Sequence, residues 1–236
     1  RAGARATPVP DGHDVERLLA AVGPETRAIA LCNPNDPTGA YLPPAALRAL
    51  LEALPEHVTL LLDEALIEFV SDERAPTASL ALLDDHPRLL VFRTFSKIYG
   101  LAGLRCGYVL GGPGSEPLLE RIAPALGVGL PAQAGALEAL RVCDEQVAAR
   151  RAVVIRERTR VLEQLHDLPL DGSASEAHVL WLRAPGLSAA ELTSRLRERG
   201  VIVMSGEHVG DDEHVRATIQ SATHADRLVH AASALR

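Results

Sequence analysis

The chain has 236 residues, 47% of them hydrophobic and 23% charged, the balance of a globular protein able to bury a sizeable core. Its 31 acidic side chains outnumber 24 basic ones, and the net charge of -7 argues against nucleic acid as a partner, because phosphate backbones select basic faces. No apolar run reaches the roughly 20 residues of a membrane-spanning helix, and the Arg-, Pro- and Asp-containing start lacks the apolar stretch of a secretory leader, so a cytoplasmic location away from membranes is expected.

Short apolar runs alternate with amphipathic stretches over the first two thirds of the chain, the pattern of βαβ units and a mainly parallel sheet covered on both faces. Arg27 to Cys32 predicts a buried strand, followed by a Pro-rich turn from Asn33 to Gly39 (NPNDPTG). Pro43 and Pro44 open a helix whose Leu47, Leu50, Leu51 and Leu54 share one face. Val58 to Leu62 is a second strand ending in Asp63 and Glu64, and Arg88 to Phe92 a third, running into Arg93 to Lys97 (RTFSK). Cys106 to Leu110 reads as a fourth, closed by Gly111 and Gly112.

From Pro131 to about Leu165 the spacing predicts a long helix with a bend near its middle. Beyond Pro169 come a strand (His178 to Leu182), a helix from Ser188 to Arg199 with a capping box between Ser188 and Glu191, strands at Val201 to Met204 and Val215 to Gln220, and a closing helix from about Thr223. The predicted organisation is a large α/β unit over 1–165 and a small α+β unit over 166–236.

Cys32, Cys106 and Cys143 are odd in number, widely spaced and in no C-x-x-C pair, so reduced thiols are expected and neither a disulfide framework nor a metal site. The nine histidines show no ligand spacing. Tyr41, Tyr99 and Tyr108 are read as packing or turn residues. One count stands out: 23 of the 24 basic residues are arginine, and Lys97 is the only lysine. Arginine replaces a lysine's surface charge but not its deprotonatable amine.

Open α/β sheets bind ligands beyond the carboxyl ends of their strands. The polar residues placed there are Asn33, Asp36, Thr38 and Gly39 after the first strand, Asp63 after the second, and Thr94, Ser96 and Lys97 after the third, with Arg105 eight residues beyond Lys97. A carboxylate, a lone lysine, hydroxyls and an arginine at one sheet edge suit pyridoxal 5'-phosphate, which needs an amine for a Schiff base, an acid to keep its ring nitrogen protonated, and donors for its phosphate. The competing reading makes Asp63 a turn cap and Lys97 an ordinary exposed cation.

The segments NPNDPTG, LLLDEALIEF and RTFSKIYGLAGLRCGY resemble, in order and separation, the signatures of fold-type I aminotransferases, most closely the histidinol-phosphate branch. The resemblance runs over nearly the whole chain, to HVRATIQ and its closing helix. It implies a three-layer α/β/α aspartate-aminotransferase-like fold with 1–165 as the cofactor-binding domain, a homodimer, and small-molecule amino-acid and 2-oxo-acid substrates. Lys97 would bind the cofactor and move the proton, Asp63 would pair with the ring nitrogen, Ser96 and Arg105 would hold the phosphate, and Arg216 would clasp a substrate carboxylate. Asp36 stands where the family uses an asparagine that donates to the cofactor's ring oxygen, and Leu66 where it uses a tyrosine. The resemblance implies that the family's N-terminal portion is without a counterpart before Arg1, as expected either of a fragment of a longer enzyme or of a truncated relative. The expected activity is transfer of an amino group between an L-amino acid or amino-alcohol phosphate (histidinol phosphate or an aromatic amino acid) and 2-oxoglutarate, a step of histidine or other amino-acid biosynthesis. The alternatives are a non-catalytic truncated homologue and an enzyme like threonine-phosphate decarboxylase.

Overall fold

A computed structural model describes residues 3–10 and 12–235. The first half builds α1 (Val15–Ala20), β1 (Ala28–Cys32), α2 (Pro44–Ala53), β2 (Thr59–Asp63), α3 (Ala75–Ala78), β3 (Leu89–Thr94), β4 (Gly107–Gly111) and α4 (Glu116–Ile122). Two long helices come next, α5 (Leu130–Val142) and α6 (Asp144–Leu165). The remainder is β5 (Asp171–Gly172), β6 (Val179–Arg183), α7 (Ala189–Glu198), β7 (Met204–Ser205), β8 (His214–Thr218) and α8 (Ala222–Ser233).

The strands form two sheets of four, in the orders β1-β2-β3-β4 and β5-β6-β8-β7. In the first, β1, β2 and β3 are parallel and β4 is antiparallel to β3. The second is antiparallel throughout. Register aligns the strand ends: Cys32 is level with Asp63 and Asp63 with Phe92, so β1 and β2 end together and β3 runs only on to Thr94 at the same edge. Leu47 and Leu50 of α2 and Leu18 of α1 pack with Leu31, Leu60, Leu62, Leu89 and Val91 of the strands. A separate apolar cluster joins Val161 and Leu165 of α6 to Leu180, Leu182, Leu192, Leu196 and Leu228 around the second sheet.

Several expected boundaries move. The long helical stretch is two helices meeting at Cys143, whose φ of -99° and ψ of 8° leave the α region. Asp144 and Glu145 then begin α6 afresh, where their charge favours a helix N-terminus. The strand expected over Val201 to Met204 shrinks to β7, because the Val201 N–H turns back to Leu196 O (2.9 Å) and finishes α7 instead of pairing. The expected capping box is present, with Ser188 accepting from the Glu191 N–H at 3.3 Å and Glu191 accepting from the Ser188 N–H at 2.9 Å.

Leu50 is fully buried between α2 and the sheet. Leu50→Ala is expected to lower unfolding free energy by about 2–5 kcal/mol, seen as a lower urea midpoint at unchanged slope.

Candidate active site

The ends of β1, β2 and β3, gathered at one edge of the sheet, place the residues beyond them around one opening. At the end of β2, Asp63 is half-buried; its Oδ1 accepts from the Ala65 N–H (2.9 Å) and its Oδ2 meets the Cys32 thiol at 3.8 Å. Burial, with the Asp63 and Asp36 charges adding, pushes that thiol up to about 11. After β3, Thr94 Oγ1 accepts from the Ser96 N–H (3.0 Å) and lies 2.9 Å from Ser96 Oγ, which fixes the serine beside the strand end. Lys97 comes next, on a tight turn closed by the Gly100 N–H on Lys97 O at 2.9 Å. Its side chain is exposed and makes no hydrogen bond or ion pair among the described residues. Arg105 has a φ of 50°, the only positive value at a non-glycine among the described residues, and its Nη1 donates to Ala102 O at 2.9 Å. A left-handed backbone costs an L-residue roughly 1–2 kcal/mol, so the surrounding turn must hold it there.

Asp63, Ser96, Lys97 and Arg105 line one cleft of about 1300 Å³, shared with Tyr108, Arg150 and His178. Tyr41 and Tyr99 pack as expected, Tyr41 against the Ile67, Val70 and Ala75 cluster and Tyr99 on Phe95. Tyr108 also packs on Phe95, with ring centroids 5.6 Å apart, but in addition lines the cleft, because β4 is an edge strand open to solvent. Leu66 is buried in an apolar cluster with Phe69, Ile98 and Val154.

Asp36 and Arg216 do not line the cleft; they meet each other beside it. Arg216 Nη1 donates to both carboxylate oxygens of Asp36, at 2.7 and 3.0 Å, joining the turn after β1 to β8 across 180 residues. The turn itself is stapled: buried Asn33 donates to Leu42 O (2.9 Å) and accepts from the Leu42 N–H (2.7 Å), and Thr38 accepts from Asn35 Nδ2 at 2.8 Å. Gly39, with φ of 73°, closes it against Ser175, where a Cβ would collide with the serine side chain, and Gly39 O accepts from the Glu176 N–H at 2.8 Å. Asn33, Thr38 and Gly39 therefore shape the turn and leave Asp36 as its outward-acting group.

His178 is the site residue that sequence reasoning missed, having placed it only at the start of a strand. It lines the cleft, stacks on Phe69 with centroids 4.7 Å apart, and its Nδ1 is buried with no hydrogen-bond partner among the described residues. Burial first, then the Lys97 and Arg216 cations, push its pKa down to about 4, with Asp36 opposing. The imidazole is thus neutral at pH 7. The available signal was a lone polar residue opening an otherwise apolar run, HVLWL.

Three arginines of α6 hold the loops around the cleft. Arg150 Nη1 donates to Ile98 O (2.8 Å), and Arg151 Nη2 to Val70 O (2.7 Å). Arg158, itself buried, donates to Phe69 O (3.0 Å), Ala177 O (2.9 Å), Ser71 Oγ (2.7 Å) and Glu176 Oε2 (3.1 Å). Arg93, which also lines the cleft, grips buried Glu64 through Nη2 at 2.7 Å.

The family model for aminotransferase class I and II matches residues 2–235. The chain belongs to the class I and II aminotransferase family. It is 38% identical over 235 residues to the aromatic amino acid aminotransferase of Corynebacterium efficiens, covering 98% of this chain and 65% of that protein. With the histidinol-phosphate aminotransferase of Geobacillus thermodenitrificans it shares 37% over 238 residues, covering 97% and 62%. This family member thus spans less than two thirds of the length of these relatives. Among solved structures, the histidinol-phosphate aminotransferase from Sinorhizobium meliloti in complex with pyridoxal-5'-phosphate superimposes with a TM-score of 0.77 at 30% identity, over 94% of this chain and 60% of that one. The Clostridium acetobutylicum histidinol-phosphate aminotransferase has the same fold, with a TM-score of 0.83 at 19% identity over 94% and 67% of the two chains. The aspartate-aminotransferase-like α/β fold expected from the sequence is the fold observed.

The site geometry has two consequences for stability. Arg105→Gly relieves the left-handed strain and is expected to leave unfolding free energy unchanged or raise it by about 1 kcal/mol, read by urea titration. An unfolded histidine takes a proton near 6.5 and folded His178 only near 4, so its contribution is complete above about 6.5 and is lost as pH falls toward 4. His178→Asn should therefore flatten the dependence of the urea midpoint on pH across that window, by on the order of 1–3 kcal/mol between its ends. An equal slope in both proteins would refute the assignment.

Proposed function

We propose that this chain carries the cofactor site of a pyridoxal-phosphate-dependent aminotransferase of the histidinol-phosphate type, moving an amino group between an L-amino acid or amino-alcohol phosphate and 2-oxoglutarate. The observation that carries the reading is the chain's only lysine, uncommitted and exposed in a cleft it shares with Asp63, Ser96 and Arg105. Relatives named as histidinol-phosphate and aromatic amino acid aminotransferases support it.

The residues fit the group. One amine, one half-buried carboxylate, one hydroxyl and one guanidinium face a common space, and Asp63 Oδ2 has only a weak thiol contact, which leaves it able to accept from a ring nitrogen. Pyridoxal phosphate, when bound, supplies an aldehyde to capture amines and a ring that takes up the electron pair released at the substrate's α carbon. Asp63 keeps the ring nitrogen protonated. Ser96 Oγ and the Arg105 fork hold the phosphate through charge-assisted hydrogen bonds. Lys97 Nζ anchors the group and afterwards holds and moves the proton of the α carbon.

We further assign 1–165 to a cofactor-binding domain and 166–236 to a small domain. The two sheets with separate apolar clusters support the division, although the second cluster also draws Val161 and Leu165 from α6. A homodimer is supported by apolar side chains left exposed on α5, among them Leu130, Leu137 and Leu140. Three unpaired thiols fit a cytoplasmic enzyme. Buried Leu66 and the committed Arg216 favour a second reading, a homologue that binds cofactor without transamination.

Mixing the chain with pyridoxal phosphate should give a visible absorbance band, and borohydride should fix the label on Lys97 as located by peptide mass. Lys97→Ala is expected to abolish the band, and Arg105→Ala to weaken cofactor affinity by about tenfold or more. A band that survives Lys97→Ala would sink the assignment. Keto-acid release from an added amino acid separates the transaminase from its non-catalytic homologue, and carbon dioxide would point to a decarboxylase.

A further inference from the structure

Asp63 is held by a group that itself stays out of the cleft. Cys32 is level with Asp63 across the parallel β1–β2 pair, so the two side chains leave the sheet on the same face. Both backbones are fixed there: the Asn33 N–H donates to Asp63 O at 2.8 Å, and His13 Nε2 donates to Cys32 O at 2.9 Å. Of the two carboxylate oxygens, Oδ1 accepts from the Ala65 N–H at 2.9 Å and Oδ2 meets Cys32 Sγ at 3.8 Å. No cation pairs with Asp63 among the described residues. Asp63 lines the cleft and Cys32 does not, so the thiol touches the carboxylate from the strand side.

The last torsion of an aspartate is broad, so a carboxylate keeps one orientation only where both its oxygens are engaged. Here the Ala65 N–H fixes one oxygen and the thiol meets the other. A thiol suits this place because S–H is a weak donor, and Oδ2 keeps most of its capacity to accept from a second, stronger one. A guanidinium or ammonium in the same position would neutralise the carboxylate and compete for it. Burial first, then the neighbouring Asp63 charge, pushes the thiol up to about 11, so it stays a neutral S–H donor and adds no anion beside Asp63.

We propose that Cys32 is a positioning residue for the cofactor: its thiol holds Asp63 Oδ2 in the orientation that receives the N–H of a protonated pyridine ring. The proposal rests on the reading of the cleft as a pyridoxal-phosphate site. Cys32 lies outside the cleft and acts through Asp63 alone.

An analogue of pyridoxal phosphate with C–H in place of the ring nitrogen keeps the aldehyde and the phosphate but offers Asp63 no proton to accept. The ratio of the two affinities, from absorbance titrations of the purified chain, therefore reads the Asp63 contact apart from the rest of the site. Cys32→Ala is expected to lower the preference for pyridoxal phosphate over the analogue about threefold, and Cys32→Val, which restores volume without a donor, to lower it equally. A packing defect would instead weaken both ligands together and be relieved by valine. In an Asp63→Asn background, Cys32→Ala should leave the ratio unchanged. On the ligand-free chain, iodoacetamide at about pH 9 should label Cys32 about threefold or more faster in Asp63→Asn than in wild type, by peptide mass, with Cys143 labelled equally in both. A ratio unchanged in both Cys32 variants, a loss that valine restores, or a fall that persists in the Asp63→Asn background overturns the proposal, and so does an equal Cys32 labelling rate in wild type and Asp63→Asn. Labelling needs no cofactor, so the two readings fail separately. Borohydride trapping at Lys97 with an unchanged ratio would remove the role of Cys32 and keep the aminotransferase reading; faster labelling without trapping would sink the aminotransferase reading and leave only the contact between Cys32 and Asp63.

Discussion

The row of arginines along α6 is the constraint on which the site depends. A sheet whose strands end at one edge leaves loops with carbonyl groups that the ladder cannot satisfy, and buried carbonyls without donors are costly. Arg150, Arg151 and Arg158 supply those donors from a single rigid element, reaching Ile98 O, Val70 O, Phe69 O and Ala177 O. The loop after β2, the loop after β3 and the lead into β6 are thereby referred to one helix. Arginine suits the task because one planar fork serves several acceptors at once, as Arg158 does with four.

The same helix explains how two sheets with different cores present one cleft. Its C-terminal turns are part of the second apolar cluster through Val161 and Leu165, while Val154 belongs to the cluster around Leu66 and Phe69. Rigid placement of His178 against Phe69, and of Arg216 against Asp36, results from that shared packing. The arrangement also concentrates strain where ligands are expected, at the left-handed Arg105, rather than in the strands.

The strands β1 to β3, β6 and β8 were legible because continuous apolar runs bounded by turn residues leave few alternatives, and that Asp63, Ser96 and Lys97 would share one opening was legible because they stand directly after those runs. The capping box of α7 was readable from Ser188 and Glu191 alone. What stayed hidden depends on long-range partners. Nothing near position 36 announces that its charge will meet a residue 180 positions later, and the one local mark of His178, a polar residue opening an apolar run, does not say that it will face the cleft. The bend in the long helical stretch was expected, but not that it would be a full break at Cys143, and β7 lost its first residues to a backbone turn that propensity does not encode.

The single lysine has a bearing on handling the protein as well as on its chemistry. Ordinary proteins scatter primary amines over their surface, so acylating esters, dialdehydes and reducing sugars modify them at many places. Here the only side-chain amine opens into the cleft beside Asp63 and Ser96. Such reagents report on the occupancy of that cleft with little background, whereas coupling the protein to a support through its side-chain amine blocks the one place where a ligand is expected to enter.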